Sequence, residues 1–465
     1  MSEFRTEKDF LGEVQVPVEA YWGVQTQRAV DNFPISGLRL QPRFVRAQAL
    51  IKLAAAKANA ELGLLDEKLG DVIVRAAQEV RDRKLDDHFV VDIYQAGAGT
   101  SQNMNANEVI ANRANELLGG TRGTYEPVHP NDHVNMAQST NDTIHVAMHI
   151  AALAAIREEL LPTLKGLAEA LDAKAEEFDD VLKIGRTHLQ DAVPIRLGQE
   201  FSGYASMVHH GVARVKQASS ALEELPLGGT AVGTGLNAHP RYPELAIAEV
   251  ARQTGLPFRL ADNLFEAMQN TDAAVEVSGA LKTLAVSLIK IANDIRLLSS
   301  GPRTGLGEIR LPPVQPGSSI MPGKVNPVMA EMLNMAAFQI LGNDAAITYA
   351  AQAGQLELNV MMPVIAYNLL HAIQVAAGGV AAFTDRAVRG IEVDRERCQS
   401  LVEWSTAMAT ALSPRIGYHR AAEIAQKAFS EGRTVRDVAT AEGVLSDEEL
   451  DDLLDADRMT RVLEK

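Results

Sequence analysis

A single cysteine, Cys398, is the only thiol in this 465-residue chain, so no intrachain disulfide can form. It lies in a charged stretch, Asp394–Cys398, without the electropositive setting and neighbouring base that a reactive thiol needs, and reads as a passenger. Aromatic residues are scarce at 5%, while Ala, Leu and Ile recur throughout, a balance that favours packed helices over sheets. Positive charge is in deficit, with 44 Lys and Arg against 60 Asp and Glu. The net charge of −16 argues against nucleic acid or an anionic membrane as partner. It also repels small anions at long range, so any anionic substrate requires a pocket that reverses the field locally. No apolar core of a secretory signal opens the chain, and the apolar stretch Leu281–Ile295 is interrupted by Lys282, Lys290 and Asp294, too often for a membrane span. The expected compartment is the cytoplasm. Fixed-period repeats, low-complexity tracts and flexible linkers are absent as well.

What is present is a series of long helical periods, in a chain long enough for two or three cores. Helices are expected near 142–178, 196–225, 271–298, 328–354 and 358–388, with Pro162 kinking or breaking the first. The third is apolar over most of its circumference, which suggests burial among several neighbours. Lengths of this order imply a bundle. The expected organisation is an N-terminal mixed helical domain over 1–138, a central long-helix bundle over 139–395, and a small C-terminal helical domain over 396–465. Between the helices lie loops rich in Gly, Ser, Thr and Asn: 97–101, 129–132, 228–230, 233–235 and 317–319. Loops of this kind offer backbone N–H groups and hydroxyls beside helix N-termini, where carboxylates are favoured.

The most specific segment is Gly317-Ser318-Ser319-Ile320-Met321-Pro322-Gly323-Lys324-Val325-Asn326-Pro327. Its glycines permit a mobile lid. Lys324 and Asn326 can hold a carboxylate as point charge and hydrogen-bond donor. No Gly-x-Ser-x-Gly elbow surrounds Ser318, which argues against a serine-nucleophile triad. His145 and His149 stand one helical turn apart, but no third ligand accompanies them and packing or polar-face roles are expected in place of a metal site.

This segment resembles the signature loop of the aspartase/fumarase superfamily, and Gly323–Pro327 narrows the resemblance to the fumarase and aspartase branches. It continues at Gly185–Asp191, at Gly229–Asn237 and at Ser139–Asp142, in order along essentially the whole chain. The resemblance implies an all-α subunit of three domains, a homotetramer with a shared central bundle, and active sites built from three chains. It also implies Ser318 as the base that removes a carbon-bound proton, with Lys324 and loop N–H groups lowering its pKa. The aci-carboxylate that forms would be stabilised by Thr187, Lys324 and Asn326. Thr100, Ser101, Ser139, Thr140, Asn141 and Ser319 are implied substrate contacts, and His188 with its glutamate partner Glu331 completes the catalytic set. His129, Asn131 and Asp132 resemble an accessory anion site, although Glu126 stands where a basic residue is usual. No metal or cofactor is implied. The partners are a small dicarboxylate and further copies of the chain.

The two branches differ in the leaving group. Trp22–Arg28, His129 and Gly228–Thr230 look like fumarase, whereas Gly97–Ser101, Ser139–Asn141 and Gly354–Met361 look like aspartase. Met362 matches neither, since aspartases usually carry an acid there and fumarases a base, and Thr143–Val146 departs from both. Ala98 lacks the hydroxyl that a hydratase would use to bind its substrate, and buried partners left unpaired are costly. Weighting positions by expected distance from substrate, the reading is deamination of L-aspartate to fumarate. Hydration of fumarate to L-malate is the alternative, and an inactive homologue is disfavoured because Ser318, Lys324, Asn326, Thr187 and His188 are all intact.

Overall fold

The computed structural model describes residues 3–462. Along the chain run strands β1 (Phe4–Asp9) and β2 (Gly12–Pro17), then helices α1 (Val24–Asn32), α2 (Pro42–Glu61), α3 (Glu67–Arg81), α4 (Thr100–Leu117), α5 (Thr140–Ala155) and α6 (Leu161–Glu177). After these come β3 (Leu182–Thr187), β4 (Gln190–Arg196), α7 (Leu197–Ala218), α8 (Tyr242–Thr254), α9 (Leu264–Gln269), α10 (Asp272–Leu298), α11 (Val328–Ala351), α12 (Met362–Arg386) and α13 (Arg395–Trp404). A 14-residue helix (Tyr418–Glu431) and several shorter helical segments follow. The fold is mostly helical, as expected. Among the described residues, four two-stranded ribbons accompany the helices, including the antiparallel pairs β1–β2 and β3–β4.

The chain divides into two compact units. One comprises Met1–Pro162, Ala213–Ala285 and Ala337–Ala377, the other Thr163–Val212, Val286–Ala336 and Gly378–Lys465. The first unit holds a core in which Leu53, Val72, Ile73, Val80, Val109 and Ile110 bring α2, α3 and α4 together. In the second, Val402, Leu412, Ile424, Val438 and Leu450 form a C-terminal core that also takes in Ile184 of β3.

Local chemistry explains the helix boundaries. Pro42 opens α2 at its first turn, where a missing N–H costs nothing. Asp66 caps α3 by accepting from Lys68 and Leu69 N–H, and Ser139 with Asp142 forms a capping box on α5. Gly255, at φ +69°, ends α8 in the left-handed conformation that an L side chain resists. Pro162 stands beside an interruption of the expected helix, which is divided into α5, ending at Ala155, and α6, beginning at Leu161. A π turn over Ile156–Leu160 precedes the proline, and Leu161 N–H reaches back five residues to Ile156 carbonyl. The shifted register accommodates a proline that has no N–H of its own.

In α10, Leu281, Leu284, Leu288, Ile291 and Ile295 are buried along one seam, whereas Val286 and Leu297 are 56% and 40% exposed, so the single chain buries one face of the helix and not most of its circumference. Among the described residues, the helix Met362–Gly390 is long and apolar enough by composition to cross a membrane. Its Ile365, Leu369, Ile373, Val380 and Phe383 are fully buried within the chain, as in the core helix of a bundle.

Cys398 is buried, its Sγ 3.7 Å from the Glu308 carbonyl oxygen, and burial together with the Glu308 carboxylate pushes its thiol up to about 12. Disulfide reagents at pH 8 are therefore expected to leave the native protein unlabelled and to modify one thiol per chain once it is unfolded. Rapid stoichiometric labelling of the native protein would contradict that placement.

Candidate active site

In the first unit, the candidate substrate loops converge on the N-termini of α4 and α5. Gly97 is packed so tightly that an added Cβ would lie 1.9 Å from Val360 carbonyl oxygen, and its own carbonyl accepts Met362 N–H at 3.1 Å. Met362, the position that fits neither branch pattern, is thus buried directly against the Gly97–Ala98 turn. Thr100 is exposed in the first turn of α4, while Ser101 behind it is largely buried. On α5, Ser139 Oγ accepts Asn141 N–H at 3.2 Å, and the Asn141 amide donates to Ala231 carbonyl at 2.8 Å.

The fully buried Asp142 ties these loops together. Its carboxylate accepts Ser139 N–H at 2.9 Å, and Gly228 and Thr230 N–H at 3.0 Å each. The Gly228–Thr230 loop is therefore bonded to the same helix cap that carries Thr140 and Asn141. Thr230 sits at φ +56°, a conformation uncommon outside glycine and characteristic of positions fixed by their surroundings.

Behind the loops lies a residue that motif reading passed over. Lys52, fully buried in α2, donates to Asn103 Oδ1 at 2.8 Å, Gln138 Oε1 at 2.9 Å and Asn135 Oδ1 at 3.0 Å. Asn103 in turn donates to Thr140 Oγ1 at 3.2 Å. Burial pushes the Lys52 ammonium down and the Asp142 carboxyl up, and each partly offsets the shift of the other. A lysine inside the apolar run Leu50–Ala56 was the available signal.

His129, Asn131 and Asp132 share one π turn. His129 Nδ1 accepts Asn131 and Asp132 N–H at 3.2 Å, so the ring caps its own turn. His145 and His149 are buried in α5. His149 Nδ1 lies 2.9 Å from Glu224 carbonyl oxygen, while burial pushes His145 down to about 3 and keeps its ring neutral.

The second unit holds the hairpin and the lid. Strands β3 and β4 pair Thr187 with Gln190, leaving His188 and Leu189 as a two-residue turn at φ +56° and +60°. Both positive values fit a hairpin turn that usually recruits Asn or Gly, so a histidine here is strained and exposed at the tip. The hairpin is anchored by the fully buried Glu308, whose Oε1 accepts Arg186 Nη1 at 2.8 Å. Lys183 Nζ approaches Glu308 Oε2 at 3.2 Å as an ion pair without hydrogen-bond alignment, and bonds Glu200 at 2.8 Å.

Within the lid, Ser318 Oγ accepts two backbone hydrogen bonds, from Met321 N–H at 3.0 Å and Ile320 N–H at 3.2 Å. Such donors favour a charged oxygen over a neutral one. Gly317 N–H donates to Lys324 carbonyl at 2.7 Å, and the Asn326 amide donates to Gly317 carbonyl at 2.7 Å. Asn326, expected on the substrate, therefore spends one amide hydrogen closing the neck of the lid. Gly317 is required there because an added Cβ would lie 2.6 Å from Lys324 carbonyl oxygen. The Lys324 ammonium is exposed and has no partner among the described residues. Ser319 is exposed on the same loop, and Glu331 lies in the first turn of α11. The side chains of His188 and Glu331 have no hydrogen bond or ion pair among the described residues.

In the second unit, a serine oxygen that accepts two N–H groups and a lysine with no side-chain partner among the described residues suit proton abstraction beside a carboxylate; in the first, the N-termini of α4 and α5 are of the kind that favour carboxylates. Residues 12–342 match the family model described as lyase, and residues 408–461 match that of the fumarase C C-terminus. The chain belongs to the fumarase/aspartase branch of the fumarate lyase superfamily. It is 51% identical to the aspartate ammonia-lyase of Bacillus subtilis, covering 99% of this chain and 96% of that one. It is equally similar to hydratases, with 55% identity to the class II fumarate hydratase of Halobacterium salinarum over 99% of this chain and 98% of that one. The crystal structure of class II fumarase from Schistosoma mansoni aligns with a TM-score of 0.95 at 40% identity, covering 98% of this chain and 99% of that chain. This family member is thus a lyase of the fumarase/aspartase kind, and overall identity does not separate C–N from C–O elimination.

Proposed function

We propose that the chain is an aspartate ammonia-lyase that converts L-aspartate reversibly to fumarate and ammonia. The observation that carries the lyase chemistry is the Ser318 cradle, two N–H groups aimed at the oxygen that must bear charge as a base. Ser318 takes the proton from the carbon beside one carboxylate, and the electron pair moves into that carboxylate as an aci-anion. Thr187 and Lys324 stabilise it, together with the second amide hydrogen of Asn326. The electrons then return to form the double bond as the C–N bond breaks. His188, paired with Glu331 in the assembled enzyme, hands a proton to the leaving group or orients the substrate.

The aspartase assignment rests on Ala98, which offers no hydroxyl to a malate-like substrate, and on the Ser139–Asn141 cap. One observation favours the hydratase as second reading: the fumarase-like Gly228–Thr230 loop is bonded through Asp142 to that same cap, so it weighs as a substrate-side element. The assembly is a cytoplasmic homotetramer of three-domain subunits divided near residues 139 and 396. Supporting self-association, α11 leaves Met335, Phe338 and Tyr349 64%, 56% and 70% exposed in the single chain. Light scattering that returns a monomer would overturn the tetramer.

The branch is tested by following absorbance near the fumarate band with purified protein. L-aspartate is expected to generate fumarate at least about a hundredfold faster than L-malate, the discrimination typical of a site built for one polar group. Turnover of malate without aspartate would establish the hydratase instead.

A further inference from the structure

In the first unit, α2, α3, α5 with the following π turn, and α8 line a small cleft, open to solvent, of about 140 Å³. Its wall carries three guanidinium groups, Arg43, Arg46 and Arg81, against one carboxylate, Glu158. Arg43 is already neutralised by Glu158 at 3.2 Å and by Glu159. The other two are not. Arg81, half-buried at the end of α3, donates to Gln253 Oε1 at 3.0 Å and Gln78 Oε1 at 3.2 Å, neutral amides that leave its charge unbalanced. Arg46 is exposed, and its side chain has no hydrogen bond or ion pair among the described residues. Burial and the positive Arg46 beside it both push the Arg81 guanidinium down, which places the two like charges within reach of each other.

Asp82 and Glu249 offset this repulsion only in part, and neither forms an ion pair with Arg81. Glu249 is held by Lys57 and Arg252 at 2.7 Å each, and Asp82 accepts from Gln78 at 2.8 Å. In a chain of net charge −16, two arginines without an ion-pair partner on one cleft are a local excess of positive charge. Guanidinium forks match carboxylate and phosphate oxygens in pairs. The cleft lies below the roughly 300–1,000 Å³ of pockets for drug-sized ligands, a size that suits a small anion.

We infer that this cleft binds a small multivalent oxyanion, a phosphate or a short dicarboxylate, bridged between Arg46 and Arg81. None of its residues belongs to the lid, the hairpin, the helix caps or the His129 turn, so it is a separate site and does not depend on the leaving group assigned above. An anion there would tie the end of α3 to α2.

The test is isothermal titration of the full-length protein at low ionic strength, with inorganic phosphate in one arm and succinate in the other. Binding of at least one anion is expected to weaken about tenfold in Arg46→Ala, the loss of one charge-assisted pair. Arg46 is exposed and unpaired, so this variant should melt like the parent. Arg81→Gln, which keeps hydrogen-bonding groups without the charge, is expected to do the same. A phosphate-only response identifies a phosphate site, and an Arg46-sensitive succinate response a carboxylate site. If both anions bind equally to parent and variants, or neither binds at all, the inference is wrong.

Discussion

Ser318→Ala is expected to lower turnover by about a thousandfold or more while leaving the melting temperature unchanged, the range that positioned general bases contribute. The two effects separate because of where the lid's own bonds lie. Ser318 Oγ only receives bonds, from Ile320 and Met321 N–H, and both donors sit on an exposed loop where water can replace the oxygen. The neck is closed instead by Gly317 N–H on Lys324 carbonyl and by the Asn326 amide on Gly317 carbonyl, neither of which involves the serine side chain. The variant should therefore keep a formed lid that lacks its base. Substrate affinity should fall less than turnover, since Lys324 remains as the free cation facing an anionic ligand. Initial-rate measurements with aspartate and with fumarate plus ammonia check this in both directions. Activity retained within about tenfold of the parent would remove Ser318 from the base role, because the other groups named here do not supply a carbon-acid base of that strength.

How far the molecule was legible depended on the length scale of each signal. The helices α7 and α10 were placed within about a residue at their N-termini because apolar side chains repeat over many turns, and errors average out. The β3–β4 hairpin was not read as a sheet. Its strands are short, Gly185 and Arg186 interrupt alternation, a register shift falls between Ile184 and Arg186, and the turn uses His188-Leu189 where Asn or Gly would announce it. The lid's chemistry could be listed from residue types, but a sequence does not say which amide faces inward. Asn326 proved to hold Gly317. Lys52 and Glu308 escaped for a related reason: each is a lone charge far along the chain from the loops it supports, visible only when α2 is laid against Asn103 and Gln138, and β3 against residue 308. Pro162 marked the interruption, but its form, a π turn over Ile156–Leu160 between α5 and α6, is not something the proline rule specifies.

Glu308→Ala should have the largest effect on stability of any single change away from the lid, about 3–5 kcal/mol, because it breaks a buried ionic cluster on one side only. The carboxylate is fully buried and bonded to Arg186 at 2.8 Å, with Lys183 at 3.2 Å. Removing it strands the buried Lys183 with Glu200 as its one remaining carboxylate and leaves Arg186 without any acidic partner. Both lie on β3, so the hairpin that presents Thr187 and His188 should loosen as the protein weakens. Turnover should then fall even at temperatures where the variant is folded, with the change in kcat exceeding that in KM. Thermal melts at one fixed protein concentration measure the first effect, since an oligomer's apparent stability moves with concentration. The companion variant is Glu308→Leu combined with Lys183→Met, which removes both charges and fills the space with apolar atoms. It should be more stable than Glu308→Ala alone, because the cost of the single change is an uncompensated buried charge and not the loss of an ion pair as such. If the double variant is instead weaker by the sum of the two single losses, Glu308 and Lys183 act independently and the anchoring of the hairpin must come from Arg186 alone.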